Sequence, residues 1–343
     1  MDHSLYLLPF LSSFSIALAL LLFLLFAKGF VPEKRKAARH IHGKGVSRLG
    51  GIAIILSFGA SLLLDPNLFI SRPLQGVLIA LVFVFIVGLW DDARELDWRA
   101  QIFFQIAIVV FIFIMGVRVE YVSNPLGGVF ELNPEKFFLP SLLLIVAWVI
   151  ILMNSMNWVD GVDGLSGGIT LIGAITIFLL SLKPEVNQPP VAIIAASLVG
   201  AVLAFLILNF HPSKILAGTS GSMFMGFILA ILAVFAGTKI ATALLVMAIP
   251  IADACWVIFE RIRSGQSVFE ADRRHLHHKL LELGWSQRKI CLFFYIITAL
   301  IAAVALNTRT IGKAVTILLV AVIMLAMLYY INRRTNSVTN KVI

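Results

Sequence analysis

The sequence predicts an all-α fold, a polytopic integral membrane protein of about eleven transmembrane helices with its polar chemistry on one face. Three observations predict it. Of 343 residues, 60% are hydrophobic and 13% charged, with a mean hydropathy of +0.99, which is too apolar for a soluble domain. Apolar runs close to the roughly 20 residues that cross a bilayer recur along the whole chain. The Lys and Arg residues between those runs alternate between a rich side and a poor one.

In chain order the expected spans lie near 5–27, 49–65, 73–90, 100–117, 138–157, 165–182, 190–208, 222–236, 239–259, 290–307 and 311–331. The first opens with Asp2 and His3 instead of a positive stretch, and its apolar run is long and lacks a small-residue cleavage site. It is therefore expected to stay as a helix and not to be a signal peptide. The whole of 1–343 reads as one membrane-embedded domain. Cys255 and Cys291 fall in or beside apolar runs, and no disulfide framework is implied.

Orientation follows from the basic residues. The connections 28–48, 91–99, 209–221 and 260–289 and the tail from Arg333 hold 20 of the 27 Lys and Arg; the other side holds seven. The rich side is expected to be cytoplasmic, with the N-terminus outside. The net charge of +9 then reflects topology and contact with anionic lipids and substrates, not nucleic-acid binding.

The unusual polar stretches all fall on the rich side. They are "RKAARHIHGKGVSRLGG" (35–51), "GLWDDARELDW" (88–98), "NSMNWVDGVDGLSGG" (154–168), "NFHPSKILAGTSGSMF" (209–224) and "FEADRRHLHHKLLELG" (269–284). Asp91 and Asp92 alone are as compatible with a helix end as with a site, because Asp at an interface is cheap. Asn157, Asp160 and Asp163 stand three apart and share a face if the helix continues through them. The glycines among them equally suggest a broken helix end near a ligand. Carboxylates beside lipid need a cation or a partner either way. In "HLHH", His275, His277 and His278 are flanked by Arg273, Arg274 and Lys279, a setting that favours phosphate over a transition metal. An exposed basic loop that only enforces orientation is the plain alternative. "GTSGSMF" (218–224) precedes an apolar run, so its N–H groups could cradle a phosphate, or its hydroxyls could be ordinary caps.

Taken in order, "RHIHGKGVSRLGG", "GLWDD", the NxxNxxDGxDGL pattern from Asn154 to Leu165, "NFHPSKIL" leading to "GSMF", and "DRRHLHHKL" resemble the polyprenyl-phosphate N-acetylhexosamine-1-phosphate transferases. The resemblance runs from about residue 35 to about 290. "SRLGG" and "HLHH" are similar to the undecaprenyl-phosphate N-acetylglucosaminyl-1-phosphate branch more than to the muramoyl-pentapeptide translocases.

The resemblance implies a Mg²⁺-dependent reaction, with Mn²⁺ as a substitute, in which a sugar 1-phosphate passes from a UDP-sugar to undecaprenyl phosphate and UMP leaves. That would be the first membrane step of a cell-envelope glycan pathway, in the bacterial inner membrane with the site facing the cytoplasm. It implies a catalytic set of Asp91, Asp92, Asp160 and Asp163, with Asp91 as base or phosphate-positioning group. Asn157, Asn209, Lys214, Arg273, His275, His277 and His278 would bind substrate, with Lys44 and Arg48 from the first motif. The metal would sit by Asp91, Asp92 and position 219. There the family pattern Gly-Asp-x-Gly-Ser has its ligand Asp, and this chain has Thr219, a poorer Mg²⁺ ligand.

Thr219 motivates a second expectation, a weakened or silent member of the family. A transporter is a third, but it would want acidic residues near the bilayer midplane in repeated halves, and no internal repeat is visible. The sequence specifies neither the UDP-sugar nor the oligomeric state; dimers are common among membrane transferases, and a homodimer is compatible with it.

Overall fold

A computed structural model of the chain describes residues 4–27, 46–124, 128–237, 240–268 and 274–342. In order these form α1 (Ser4–Phe26), α2 (Gly50–Leu64), α3 (Arg72–Arg94), α4 (Trp98–Ile114), β1 (Tyr121–Ser123), β2 (Val129–Glu131), α5 (Phe138–Val159), α6 (Leu165–Ser181) and α7 (Pro189–Asn209). There follow α8 (Gly218–Phe235), α9 (Ile240–Val246), α10 (Ala248–Arg263), α11 (Leu276–Glu282), α12 (Gln287–Asn307) and α13 (Thr310–Val342). β1 and β2 pair antiparallel, with Val122 opposite Phe130.

Helix starts follow local chemistry. Pro73 opens α3 and Pro189 and Pro190 open α7, where a missing N–H is no loss. The Asp97 carboxylate accepts the Arg99 N–H at the start of α4, and Ser286 Oγ accepts the Lys289 N–H at the start of α12. The left-handed Glu95 (φ 50°) stops α3, its N–H returning to the Asp91 carbonyl at 2.8 Å.

Every expected span is helical, with one correction. The segment 239–259 is not one helix: α9 and α10 meet at an angle of 75°. Pro250 supplies the reason, because it has no N–H and its ring collides with the carbonyl four residues back, that of Val246, the last residue of α9. Among the described residues, seven helices are long and apolar enough to cross a membrane, eight if the bent pair is one crossing; α2, α4 and α6 are apolar but only 15 to 17 residues long.

α7 and α8 form the centre: α1, α2 and α6 pack on α7, while α3 and α5 pack on α8. Close approach depends on small residues. A Cβ at Gly88 of α3 would lie 2.3 Å from Ser220 Cα, and one at Gly226 of α8 would lie 2.4 Å from the Leu152 carbonyl of α5.

Candidate active site

The connections α3–α4, α5–α6 and α7–α8, the start of α11 and the approach to α2 meet at one end of the bundle. Main-chain bonds tie two of them together. Leu216 N–H donates to the Ser47 carbonyl (2.8 Å), and the first N–H groups of α2, at Gly50 and Gly51, donate to the carbonyls of Leu216 and Ala217 (both 2.9 Å). The "SRLGG" stretch is thus clamped against the start of α8.

α8 begins at Gly218, four residues before the expected span, so "GTSGS" is its first turn. The anion at that helix end belongs to the protein. Asp92 Oδ1 accepts the Thr219 N–H (2.8 Å), and Oδ2 accepts the Ser220 N–H (3.2 Å) and hydroxyl (3.1 Å). The positive end of the helix dipole and its unpaired donors therefore hold the Asp92 charge where a phosphate cradle was one expectation. Asp91, one residue earlier, turns the other way: its Oδ1 accepts Leu96 N–H (2.9 Å) and Gln101 Nε2 (2.7 Å), which closes the α3–α4 connection.

α5 ends at Val159, and Asp160 to Gly164 form a tight reversal before α6. Asn157, still on α5, accepts the Ser222 hydroxyl of α8 (2.9 Å). Asp160 accepts the Ser166 hydroxyl. Burial raises the Asp160 pKa to about 7; the Ser166 bond and Arg48 act against this, while the charges of Asp92 and Asp163 add to it. Three carboxylates from two segments, the end of α3 and the α5–α6 reversal, therefore sense one another, with one guanidinium among them. Asp163 is buried, and its Oδ2 meets His211 Nδ1 (2.7 Å) and accepts Ser213 N–H (3.1 Å). Asn209, the last residue of α7, bridges the Gly164 N–H (2.9 Å) and the Ile215 carbonyl (2.8 Å).

The histidines occupy a second row. His275 is buried, with Nδ1 2.8 Å from Asp253 Oδ2, and the other Asp253 oxygen accepts the Leu276 N–H (2.7 Å). Its ring is parallel to that of His277 (5.8 Å, 6°) and 5.8 Å from Trp158. His277 is fully buried, neither ring nitrogen has a hydrogen-bond partner among the described residues, and Nε2 sits against Gly161. Burial, then His278 and His275, hold its pKa well below the usual imidazole range, so it serves as a neutral ring and not as a cation. Lys279 is committed to Glu260 (3.2 Å).

Asp92, Asn157, Asp160, Asp163, Asn209, Thr219, Arg48 and His277 thus come together, with His275 and His278 behind His277. Asp91 faces the α3–α4 connection, and Lys214 is exposed in the α7–α8 hook. Lys44 and Arg273 lie outside the described residues. Sequence reasoning passed over Ser166, His211, Ser222, Asp253 and the α12 residues Gln287, Cys291 and Tyr295. Asp253 carried a signal, since an acid inside the apolar run "MAIPIADACWVIF" calls for a partner. Both cysteines are free.

Comparison with known proteins sharpens this arrangement. Residues 74–237 match the family described as glycosyl transferase family 4. Decaprenyl-phosphate N-acetylglucosaminephosphotransferase of Mycobacterium leprae is 33% identical over 87% of this chain and 83% of its own length. The protein of the same name from Mycobacterium tuberculosis is 34% identical over 77% and 72%. The chain belongs to the polyprenyl-phosphate N-acetylhexosamine-1-phosphate transferase family. Undecaprenyl-phosphate alpha-N-acetylglucosaminyl 1-phosphate transferase of Escherichia coli K12 is also similar, 29% identical over 84% of this chain and 81% of its own. The stretch matching the glycosyl transferase family runs from Leu74 in α3 to Gly237 after α8, so it holds Asp92, Asn157, the 160–164 reversal and Asn209 but neither His275, His277 and His278 nor α12.

Proposed function

We propose that this chain transfers N-acetylglucosamine 1-phosphate from its UDP-activated form to a polyprenyl phosphate, releasing UMP. The observation that carries the reading is the convergence of Asp92, at the end of α3, with Asp160 and Asp163 of the α5–α6 reversal at one end of a bundle whose relatives are named for this transfer. A lipid-phosphate oxygen forms a bond to the sugar-bearing phosphorus, and the bond from that phosphorus to the UMP oxygen breaks. Such transfer asks for positioning and charge neutralisation more than for covalent chemistry.

Among the described residues no group of three or more His, Cys, Asp or Glu side chains is assembled for a metal ion, yet the carboxylates suit a hard divalent cation that draws its remaining ligands from substrate and water. Mg²⁺ is commonly held by one or two carboxylates plus phosphate and water oxygens, and the crowding of Asp160 by Asp92 and Asp163 is relieved by a positive charge. Asp92 and Asp160, with Asp163 three residues further on, would hold it, and when bound it would offset the negative charge of the two substrates; Asp91 is turned to the α3–α4 connection instead. Arg48 supplies a fixed positive charge at the same place. His277, neutral, fully buried and against Gly161, backs the Asp160–Gly164 reversal.

The basic asymmetry of the loops supports a bacterial inner-membrane protein with eleven crossings, this end in the cytoplasm and the N-terminus outside. Labelling of Ser264→Cys by an impermeant thiol reagent from the outside of intact cells would reverse that orientation. Neither a transporter nor a silent variant is favoured, because the relatives carry transferase names across most of the chain. The test is UMP release by purified protein given UDP-N-acetylglucosamine, undecaprenyl phosphate and Mg²⁺. Release that needs both substrates is expected; none above a no-enzyme blank would sink the reading.

A further inference from the structure

Asp163 and Gly164, both buried, have an unusual set of partners for two residues of a helix-to-helix reversal. Asp163 N–H donates to Gln287 Oε1 (3.1 Å), the Asp163 carbonyl accepts from Cys291 Sγ (3.0 Å), and the Gly164 carbonyl accepts from Tyr295 OH (2.5 Å). Gly164 N–H goes to Asn209. All four main-chain polar groups are thus bound by side chains from helices that the reversal does not connect. Gln287, Cys291 and Tyr295 are four residues apart, one turn each, so they form a single stripe on α12.

Packing holds the stripe in place. Cys291 is fully buried. The Tyr295 ring packs against α6, where a Cβ at Gly168 would come within 2.0 Å of it. Gly164 takes φ 86°, which turns the chain so that its carbonyl faces that hydroxyl. Water could have satisfied these groups at a bundle end. Four ordered side chains do it instead, Gln287, Cys291 and Tyr295 of α12 and Asn209 of α7, with the Gly168 N–H as a second donor to the Gly164 carbonyl (2.9 Å), and they fix the backbone from which the Asp163 carboxylate reaches His211 and Ser213.

We propose that Gln287, Cys291 and Tyr295 of α12 are positioning residues that clamp the Asp163–Gly164 backbone and so aim the Asp163 carboxylate. This rests on the functional reading above only in placing Asp163 at the reacting centre. Displacements of about 1 Å in a catalytic group cost on the order of a hundredfold in rate, so a clamp remote from the substrates can govern turnover.

The experiment uses the full chain in nanodiscs and the variants Tyr295→Phe, Gln287→Leu, Cys291→Ala and Cys291→Ser. Tyr295→Phe, which keeps the packed ring, should lower kcat by about tenfold with KM for both substrates nearly unchanged. Added to Asp163→Asn it should cost nothing further, because both changes act through one group. Cys291→Ser, which keeps a donor, should retain most of the turnover that Cys291→Ala loses. Hydrogen exchange supplies an arm independent of activity: Gln287→Leu frees the Asp163 N–H, so exchange in a peptide covering 160–168 should quicken by about tenfold while 189–209 stays unchanged. Losses that multiply with Asp163→Asn, or unchanged exchange at 160–168 in Gln287→Leu, would overturn the clamp. If the parent chain released no UMP, the functional reading would fail and the exchange arm would still decide whether the clamp exists.

Discussion

α8 and α13 are both long and apolar enough to cross a bilayer, yet 83% of the apolar window of α8 is buried inside the chain and only 17% of that of α13. α13 turns Ile311, Leu318, Val322 and Ile323 outward, as a lipid-facing helix does. α8 instead carries glycines and serines that let α2, α3 and α5 approach to backbone contact, and its first turn receives Asp92. Apolarity puts both in the membrane; small residues and one carboxylate decide which becomes the centre.

The largest effect expected is at the junction of α3 and α8. Asp92→Asn removes the charge held by the start of α8 and should lower turnover by about a hundredfold or more. Leu318→Ala, at a side chain 67% exposed on α13, should change turnover by less than about twofold. Comparable losses in the two, measured as UMP release in the same lipid, would erase the distinction.

Thr219→Asp sharpens the same junction. A second carboxylate beside Asp92 adds a hard oxygen ligand, and Mg²⁺-dependent UMP release should rise by about tenfold, ~1.4 kcal/mol of transition-state stabilisation. Without Mg²⁺ the paired charges should lower the melting temperature. Equal turnover and equal Mg²⁺ dependence in a titration would place residue 219 away from the metal.

Close packing predicts a smaller, structural contrast. Gly88→Ala forces a methyl into the Ser220 backbone and should cost about 1–3 kcal/mol, whereas Gly59→Ala in α2 meets nothing within 4 Å and should gain about 0.5–1 kcal/mol from helix propensity. Thermal unfolding of both variants checks this; equal shifts would mean that α3 and α8 are not in backbone contact.

The smallest effect concerns pH. The folded pKa of Asp160, about 7, lies above its ordinary value near ~3.9, so the stability gained by burying the neutral acid is complete below that ordinary value and is lost as pH rises through about 7. In chelator, wild type should therefore lose thermal stability relative to Asp160→Asn across neutrality. Parallel curves from about pH 5 to about pH 9 would contradict the assigned burial.

Much of this was legible in the sequence. Apolar runs placed the helices within a few residues, and the motifs at Asp92, Asp160, Asp163 and Asn209 fell on one face because helices alternate direction. The break at Pro250 was present in the chain, but a hydropathy window averages over it. Side-chain to main-chain bonds were not legible: that Asp92 anchors α8 while Asp91 closes the α3–α4 connection is a difference of direction between adjacent residues. Nor could Gln287, Cys291 and Tyr295 of α12 be assigned without knowing that the Asp163–Gly164 backbone lies against them. His277 misled in the other direction, since three histidines beside arginines suggest an exposed cationic cluster and burial makes this one neutral.

The most direct measurement follows the phosphorus. If this end of the bundle transfers a sugar 1-phosphate, UDP-N-acetylglucosamine labelled with ³²P at the sugar-bearing phosphate should pass its label to the lipid fraction while the released UMP stays unlabelled, and Asp92→Asn should abolish the transfer. Label recovered in UDP or as inorganic phosphate, with sugar alone reaching the lipid, would mean that the sugar–oxygen bond is the one that breaks and would contradict the account.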